Sequence, residues 1–479
     1  IGLGAISAFS FGIKRIFEES TPPLSYNPEK IFSTPAQPIS NNSTPSFSSY
    51  PLPSPTSSPS TLQPSPTPSP TPNHSFPKET VSLPPVENIF EFFLLDLIHQ
   101  LKEKRLERYY ASEEVRQRID SDLLTLNTIN VLYLGIDVTR ERFDDFNPFG
   151  IGNSDVIMII SFNPTTFKTV AISIPRDLFA PEMKNYSFSC AAGGPRINTI
   201  TKVAPNPASR WEIIRQVIED ATGLPIDMII ETNIDFMQGP PPPEILPDAK
   251  KDEFLTTPPG IFDILFPEGL TINVPSPIND PAYPVGYGQK NLTINPGPNT
   301  FHARELTEYC RTRHSDSDFG RAQRQRQVLI EALKVLLPRI LSEFTANKYT
   351  TLEQTIDALT QHSQYGNIFF DVNIIEILKT IKEFIYNARN DSETFTKLIP
   401  LITNTTINLL KILQDDNSTF ISYGLSRENG AVENYPSATD KEGIRCSYVL
   451  KIKGSNPNSP PLEYWKPLRE TIKEMMIGK

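Results

Sequence analysis

A chain of 479 residues is long enough for one large or two ordinary domains with a sizeable core. Its net charge of -10 and pI near 5.2 exclude a surface that gathers nucleic acid or anionic membrane non-specifically, because such partners need a positive field. The hydrophobic share of 38% is low for a compact protein, and the deficit lies in one Pro/Ser/Thr-rich block near the N-terminus.

The chain opens on IGLGAISAFSFGI, an apolar run followed by Lys14 and Arg15. A membrane-crossing helix needs about 20 apolar residues, so residues 1–17 read as the outer end of a membrane anchor. Residues 18–87, with YPLPSPTSSPSTLQPSPTPSPTPN at their centre, have too few large apolar side chains to bury a core. Proline fixes φ and removes the backbone donor, which predicts a disordered, extended extracytoplasmic linker that holds a domain away from a membrane. At residue 88 the spacing turns helical: Ile89, Phe92, Phe93, Leu97 and Leu101 share one face, and a charged second half, KEKRLERYYASEEVRQRID, completes a helical lead-in to residue 127.

From residue 128 the pattern is β-rich. TINVLYLGID, VIMIISF and FKTVAISI read as an antiparallel meander, with Asn163-Pro164-Thr165-Thr166 as the second turn. A helix, SRWEIIRQVIEDATG, closed by Gly223, leads to the strand IDMIIETNI, a proline-rich excursion (QGPPPPEILP) and a further β segment, LTINVPSP. This alternation predicts an α/β domain with a mixed, partly antiparallel sheet over residues 128–426. Helical stretches follow, among them NIIEILKTIKEFIYNA and TKLIPLITNTTINLLKIL. A C-terminal extension, residues 427–479, holds a last strand in EGIRCSYVLKIKGSNP and a closing helix in EYWKPLRETIKEMM. The cysteines are Cys190, Cys310 and Cys446, without a CxxC or a histidine at zinc-ligand spacing; they argue against structural zinc and allow one internal disulfide of undetermined pairing.

The chemistry concentrates in residues 311–326, RTRHSDSDFGRAQRQR. A helix is predicted from residue 318 to 340. With Arg321 at zero on a wheel of about 100° per residue, Gln325 falls near 40° and Arg324 near -60°, beside Val328, Ala332 and Leu336. Gln323, Gln327 and Lys334 take the opposite, water-facing side, and Arg326, at about 140°, lies outside the site. Arginines heading a core-facing stripe are costly unless they meet an anion, and the helix N-terminus adds a positive end of its own. Upstream, RTRH read as a strand puts Arg311 and Arg313 on one side. A salt-bridge network with Asp316 and Asp318 is the plain alternative. Five arginines nonetheless face two acids in this window, and guanidinium forks suit a polyphosphate.

The meander supplies a complement, because the end of its first strand, the start of its second and the end of its third share one sheet edge. Those places hold Asp137, Asp155 and Arg176. A lone Asp at a strand end is more commonly a turn residue; it is the convergence that points to a site. Two acids beside phosphate make a magnesium (Mg2+) site.

The pieces LGID, SDVIMIISFNPTTFKTVAISIPRD, RINTIT, LTINVPSPINDPAYP and YCRTRHSDSDFGRAQRQRQVL, in that order, resemble the LytR-CpsA-Psr family of bacterial cell-envelope phosphotransferases. The resemblance covers residues 130–336 and extends weakly to 426; SIPRD and DFGRAQRQ are its specific pieces. It implies a three-layer α/β/α catalytic domain on the outer side of the bacterial cell membrane, single-pass anchored. Such a domain transfers a phosphoglycan from a polyprenyl-pyrophosphate carrier to peptidoglycan or another wall acceptor, with no nucleic acid involved. Carried over by position, Asp137 and Asp155 match the magnesium-associated acids, and Arg176, Arg311, Arg313, Arg321, Arg324 and Gln325 match the pyrophosphate-binding positions, with Asp137, Asp155 and Arg176 at the reaction centre. The chain departs from the pattern at Asn153, where relatives carry arginine, and Arg140 or Arg142 stands displaced from its place after LGID. Two other readings are a polyprenyl-pyrophosphate pyrophosphatase, with water as acceptor, and a non-catalytic lipid-binding envelope regulator. A nucleotide-binding protein is disfavoured by the missing GxxxxGKS/T and GxGxxG motifs.

Overall fold

The computed structural model describes residues 89–139, 152–164, 168–186, 188–204, 206–240, 257–285, 288–312, 318–346, 348–390, 420–427, 429–440 and 442–477. The anchor, the linker, Arg140, Arg142, Thr165, Thr166, most of the proline-rich excursion, Arg313 and the helix expected in TKLIPLITNTTINLLKIL lie outside the described residues.

The strands are β1 (Ile129–Ile136), β2 (Ser154–Phe162), β3 (Thr169–Ser173), β4 (Met228–Asn233), β5 (Leu270–Val274), β6 (Ile278–Val285), β7 (Gly288–Ile294), β8 (Gly297–Phe301), β9 (Ile368–Phe370), β10 (Phe420–Gly424), β11 (Val432–Asn434) and β12 (Leu450–Ile452). Six of them form the central sheet in the order β10-β3-β2-β1-β4-β9. The meander pairs antiparallel, while β4 lies parallel to β1 and β10 parallel to β3, so the sheet is mixed as expected. The segment LTINVPSP does not join it: β5 pairs with β8, and β6 with β7, in two small antiparallel ribbons.

β1 shows why the sheet must be covered twice. Ile129, Val131 and Tyr133 point into one apolar cluster and Leu132 and Leu134 into another, the alternation of a strand with both faces buried. On the first face lie α1 (Ile89–Ala111), α3 (Ala303–Arg311), α4 (Asp318–Thr345), α5 (Thr350–Gln364) and α6 (Ile374–Asn390). On the second lie α2 (Pro207–Thr222) and α7 (Pro461–Ile477), whose Trp211, Ile214, Trp465 and Leu468 join the second cluster. The fold is a three-layer α/β/α sandwich. Gly223 closes α2 at φ 71, donating to the carbonyl of Glu219, a left-handed cap that glycine adopts without strain. The C-terminal segment therefore completes the core of the domain.

Two local expectations are corrected. Arg311 ends an α-helix where RTRH suggested a strand. The amphipathic run Ala303–Arg311 buries Leu306 and Tyr309, and Glu305 accepts from the His302 N–H at its start, so helical burial overrides the two-residue alternation. Gln327 is partly buried rather than water-facing, because it bridges Tyr309 Oη and the carbonyl of Asn273 at 2.8 and 2.7 Å. No described helix is long and apolar enough to cross a membrane.

Candidate functional site

The site forms at the edge where β1 ends and β2 begins. The N–H of Asp137 donates to the carbonyl of Asn153 at 2.9 Å, extending the ladder one step beyond β1. Between Gly135↔Val156 and Ile136↔Ser154 the register shifts, leaving Asp155 as the extra residue of a β-bulge. Bulges re-aim side chains at sheet edges. A Cβ on Gly135 would meet Val156 Cβ at 3.0 Å, so the glycine of LGID permits this close approach.

Arginines from separate elements converge on these two acids. Arg176, three residues beyond β3, donates to Asp155 Oδ1 at 2.6 Å. Arg321, in the first turn of α4, is 6% exposed as the wheel predicts; it donates to the backbone carbonyl of Asp155 at 3.3 Å and lies 3.8 Å from its carboxylate. Arg311, at the end of α3, donates to Asp137 Oδ1 at 2.8 Å and to the Tyr283 hydroxyl at 3.4 Å, with its guanidinium over the Tyr283 ring. Burial opposes the Arg311 charge, but Tyr283, Asp137 and Asp155 more than offset it and raise its pKa. Both carboxylates thus act on one guanidinium. Burial also pushes the Tyr283 phenol up to about 12, against the opposing pull of Arg311.

Arg324 and Gln325 are placed differently. Arg324, 5% exposed, donates to the carbonyls of Tyr309 and Thr312, and Gln325 donates to that of Cys310 at 3.3 Å. These are the last carbonyls around the C-terminus of α3, which a cation satisfies and whose dipole it complements. Both side chains therefore aim α3, and with it Arg311.

Sequence reasoning missed three participants. Tyr283, from β6, sits beneath Arg311. Asp177 lies 3.5 Å from Arg176 Nε on one oxygen and 3.5 Å from Arg196 Nε on the other, and so links the bulged edge to a further guanidinium. The signal was available: Asp177 closes SIPRD, Arg196 opens RINTIT and Tyr283 lies in NDPAYP. Asn153, on the same edge, has a buried Oδ1 without a hydrogen-bond partner.

Chemically, this is a set of guanidinium forks facing two hard carboxylates. Among the described residues no three His, Cys, Asp or Glu side chains gather into a metal cage. The pair Asp137 and Asp155 suits an ion that takes its remaining ligands from phosphate and water, which is the preference of magnesium.

A model described as the LytR_cpsA_psr family matches residues 97–238 and 260–395. The chain is similar to polyisoprenyl-teichoic acid--peptidoglycan teichoic acid transferase TagU of Oceanobacillus iheyensis, at 26% identity over 220 residues, 43% of this chain and 51% of that one. It is also similar to Biofilm regulatory protein A of Streptococcus mutans, at 23% identity over 259 residues, 52% and 56% of the two chains. It spans about half the length of these curated relatives. Among solved structures it is similar to B. subtilis TagV, at 14% identity and a TM-score of 0.39, over 73% of this chain and 98% of that one.

Proposed function

The chain belongs to the LytR-CpsA-Psr family, and on that premise we propose that it transfers a phosphoglycan from a polyprenyl-pyrophosphate carrier to peptidoglycan or another cell-wall acceptor. The observation that carries the reading is the convergence of Arg176, Arg311 and Arg321, from three separate elements, on Asp137 and Asp155 at one bulged sheet edge. The named activity of the TagU relative supports it at the level of the reaction class.

Arg176, Arg311 and Arg321 hold the pyrophosphate, where charge-assisted hydrogen bonds to phosphate oxygens replace or share those made to the carboxylates. Arg313 is assigned the same task from its position in RTR, while Arg324 and Gln325 keep α3 aimed. An acceptor hydroxyl attacks the glycan-side phosphorus; its oxygen bonds to that phosphorus, the bridging P–O bond breaks, and polyprenyl phosphate leaves with the bonding pair. Asp137 or Asp155 takes the acceptor proton, a role that competes with holding a metal ion. Fixed guanidinium charges stabilise the developing charge without reorganising, the main resource of phosphoryl transfer. Asp137 and Asp155 would hold magnesium, which when bound neutralises charge on the leaving phosphate and polarises the breaking bond.

The reading places the domain outside the bacterial cell membrane, tethered through residues 1–87. A disulfide between Cys190 and Cys446 supports an oxidising compartment. The test is turnover of a polyprenyl-pyrophosphate glycan with and without peptidoglycan. Wild type should give an acceptor-linked product together with polyprenyl phosphate, and Asp155→Ala should give neither. Full activity of Asp155→Ala would refute the site, and release of free phosphoglycan in the presence of acceptor would make the protein a pyrophosphatase.

A further inference from the structure

The segment between β11 and β12 is the part of the molecule that the site does not explain. It lies beyond the region matched by the family, which ends at residue 395. Here Tyr448 is 89% exposed and Ile444 is 54% exposed. Single exposed apolar side chains are ordinary, but Tyr448 differs in its backbone. Its φ of 57 makes it the one non-glycine residue with positive φ among the described residues, a conformation disfavoured for a bulky side chain.

The described residues of this loop are held at several points. Cys446 is bonded to Cys190, and its N–H donates to the carbonyl of Ala438 at 2.8 Å. Asp440 accepts from the N–H groups of Ile444 and Cys190, at 2.9 and 3.1 Å. The ring is thus presented on a rigid mount, with little ordering entropy left to lose on binding.

A line of polar contacts runs from this mount to the reaction edge. Arg196 donates to the carbonyl of Ser447, the residue before Tyr448, and lies 3.5 Å from Asp177; Asp177 lies 3.5 Å from Arg176, which holds Asp155. The apolar residues that flank this line in sequence, Ile174, Leu178, Ile197 and Cys446, belong to the second apolar cluster, whereas Tyr283 and the buried side chains of α3 belong to the first. The line is built of charged and polar groups, which suit the hydroxyls of a sugar rather than an apolar carrier.

From this placement we propose that Tyr448, in the same loop as the exposed Ile444, is a stacking platform for a pyranose ring of the acceptor peptidoglycan strand. The inference rests on the transferase reading above. The donor is already held through its pyrophosphate and carrier, whereas the acceptor has no such handle and must be bound to outcompete water. The apolar C–H face of a sugar packs on an aromatic ring.

The test uses the full chain and purified sacculi free of wall polymer. Tyr448→Gly relieves the left-handed strain, so misfolding does not confound it. It should weaken co-sedimentation with sacculi about tenfold, the scale of one aromatic contact. It should likewise raise KM for peptidoglycan while leaving kcat and polyprenyl-pyrophosphate affinity unchanged. Tyr448→Trp should restore both. The proposal is overturned if wild type does not sediment with sacculi, or if Tyr448→Gly sediments as wild type does. It is equally overturned if the variant instead loses binding to phosphatidylglycerol/phosphatidylcholine vesicles, since the ring would then be a membrane contact. Sedimentation needs no turnover, so an inactive wild type whose sacculus binding depends on Tyr448 would strike the transferase reading and leave this one.

Discussion

Arg311 is where the two carboxylates meet, and replacing it with alanine separates a phosphate-binding role from a structural one. The guanidinium makes one charge-assisted hydrogen bond to Asp137 at 2.8 Å and a longer one to the Tyr283 hydroxyl at 3.4 Å. A hydrogen bond to a charged group contributes about 1.5–3 kcal/mol net. The Asp137 side chain is 23% exposed, so water can replace the lost partner, and Arg311→Ala should reduce folding stability by only about 1 kcal/mol. A bound pyrophosphate, by contrast, loses a donor in a partly desolvated site. Its affinity should fall by about 2–3 kcal/mol, some 30- to 150-fold, and turnover by about 100- to 1000-fold. Arg311→Lys keeps the charge but not the fork and should recover only part of each loss. Titration with a fluorescent polyprenyl pyrophosphate, turnover and thermal unfolding read the three quantities separately. Unchanged affinity in Arg311→Ala, or a collapse in stability in place of the affinity loss, would show that Arg311 braces the fold.

Tyr283→Phe keeps the ring under Arg311 and removes only the weak 3.4 Å contact; pyrophosphate affinity should change less than about fivefold, whereas Tyr283→Ala should approach the Arg311→Ala loss. Glu182 is 6% exposed, accepts from Trp465 Nε1 at 2.8 Å, and is pushed by burial from 4.5 up to about 8. Because its folded pKa is raised, its contribution to stability is complete below pH 4.5 and is lost as pH rises through 8. Glu182→Gln, which mimics the protonated form, should therefore stabilise the protein at pH 8 or above by up to about 5 kcal/mol and do little at pH 4; chemical denaturation at the two pH values measures the difference. Cys446→Ser opens a disulfide whose ends are 256 residues apart. It should cost about 2–5 kcal/mol, and wild type treated with reductant should show the same lowered denaturation midpoint.

The meander was legible because β1, β2 and β3 are β-rich and a turn signal joins the last two, and antiparallel pairing then brought Asp137, Asp155 and Arg176 to one edge. Arg321 was legible because a helix has a fixed angular period. What escaped were effects without a local period. The bulge that turns Asp155 depends on the register of two strands. The helical state of Arg311 depends on burial of Leu306 and Tyr309 against elements distant in sequence. The capping roles of Arg324 and Gln325 required knowing that α3 ends beneath them. The pairing of Cys190 with Cys446 could not be chosen among three cysteines until the C-terminal segment was seen packed against the loop after β3.

That disulfide also divides the candidate site in a topological sense. Asp137, Asp155 and Arg176 precede Cys190, while Arg311 and Arg321 lie inside the covalent ring that it closes with Cys446. A single proteolytic cut anywhere inside that ring breaks the chain without separating its pieces. A nicked molecule therefore keeps both halves of its candidate site in one covalent unit.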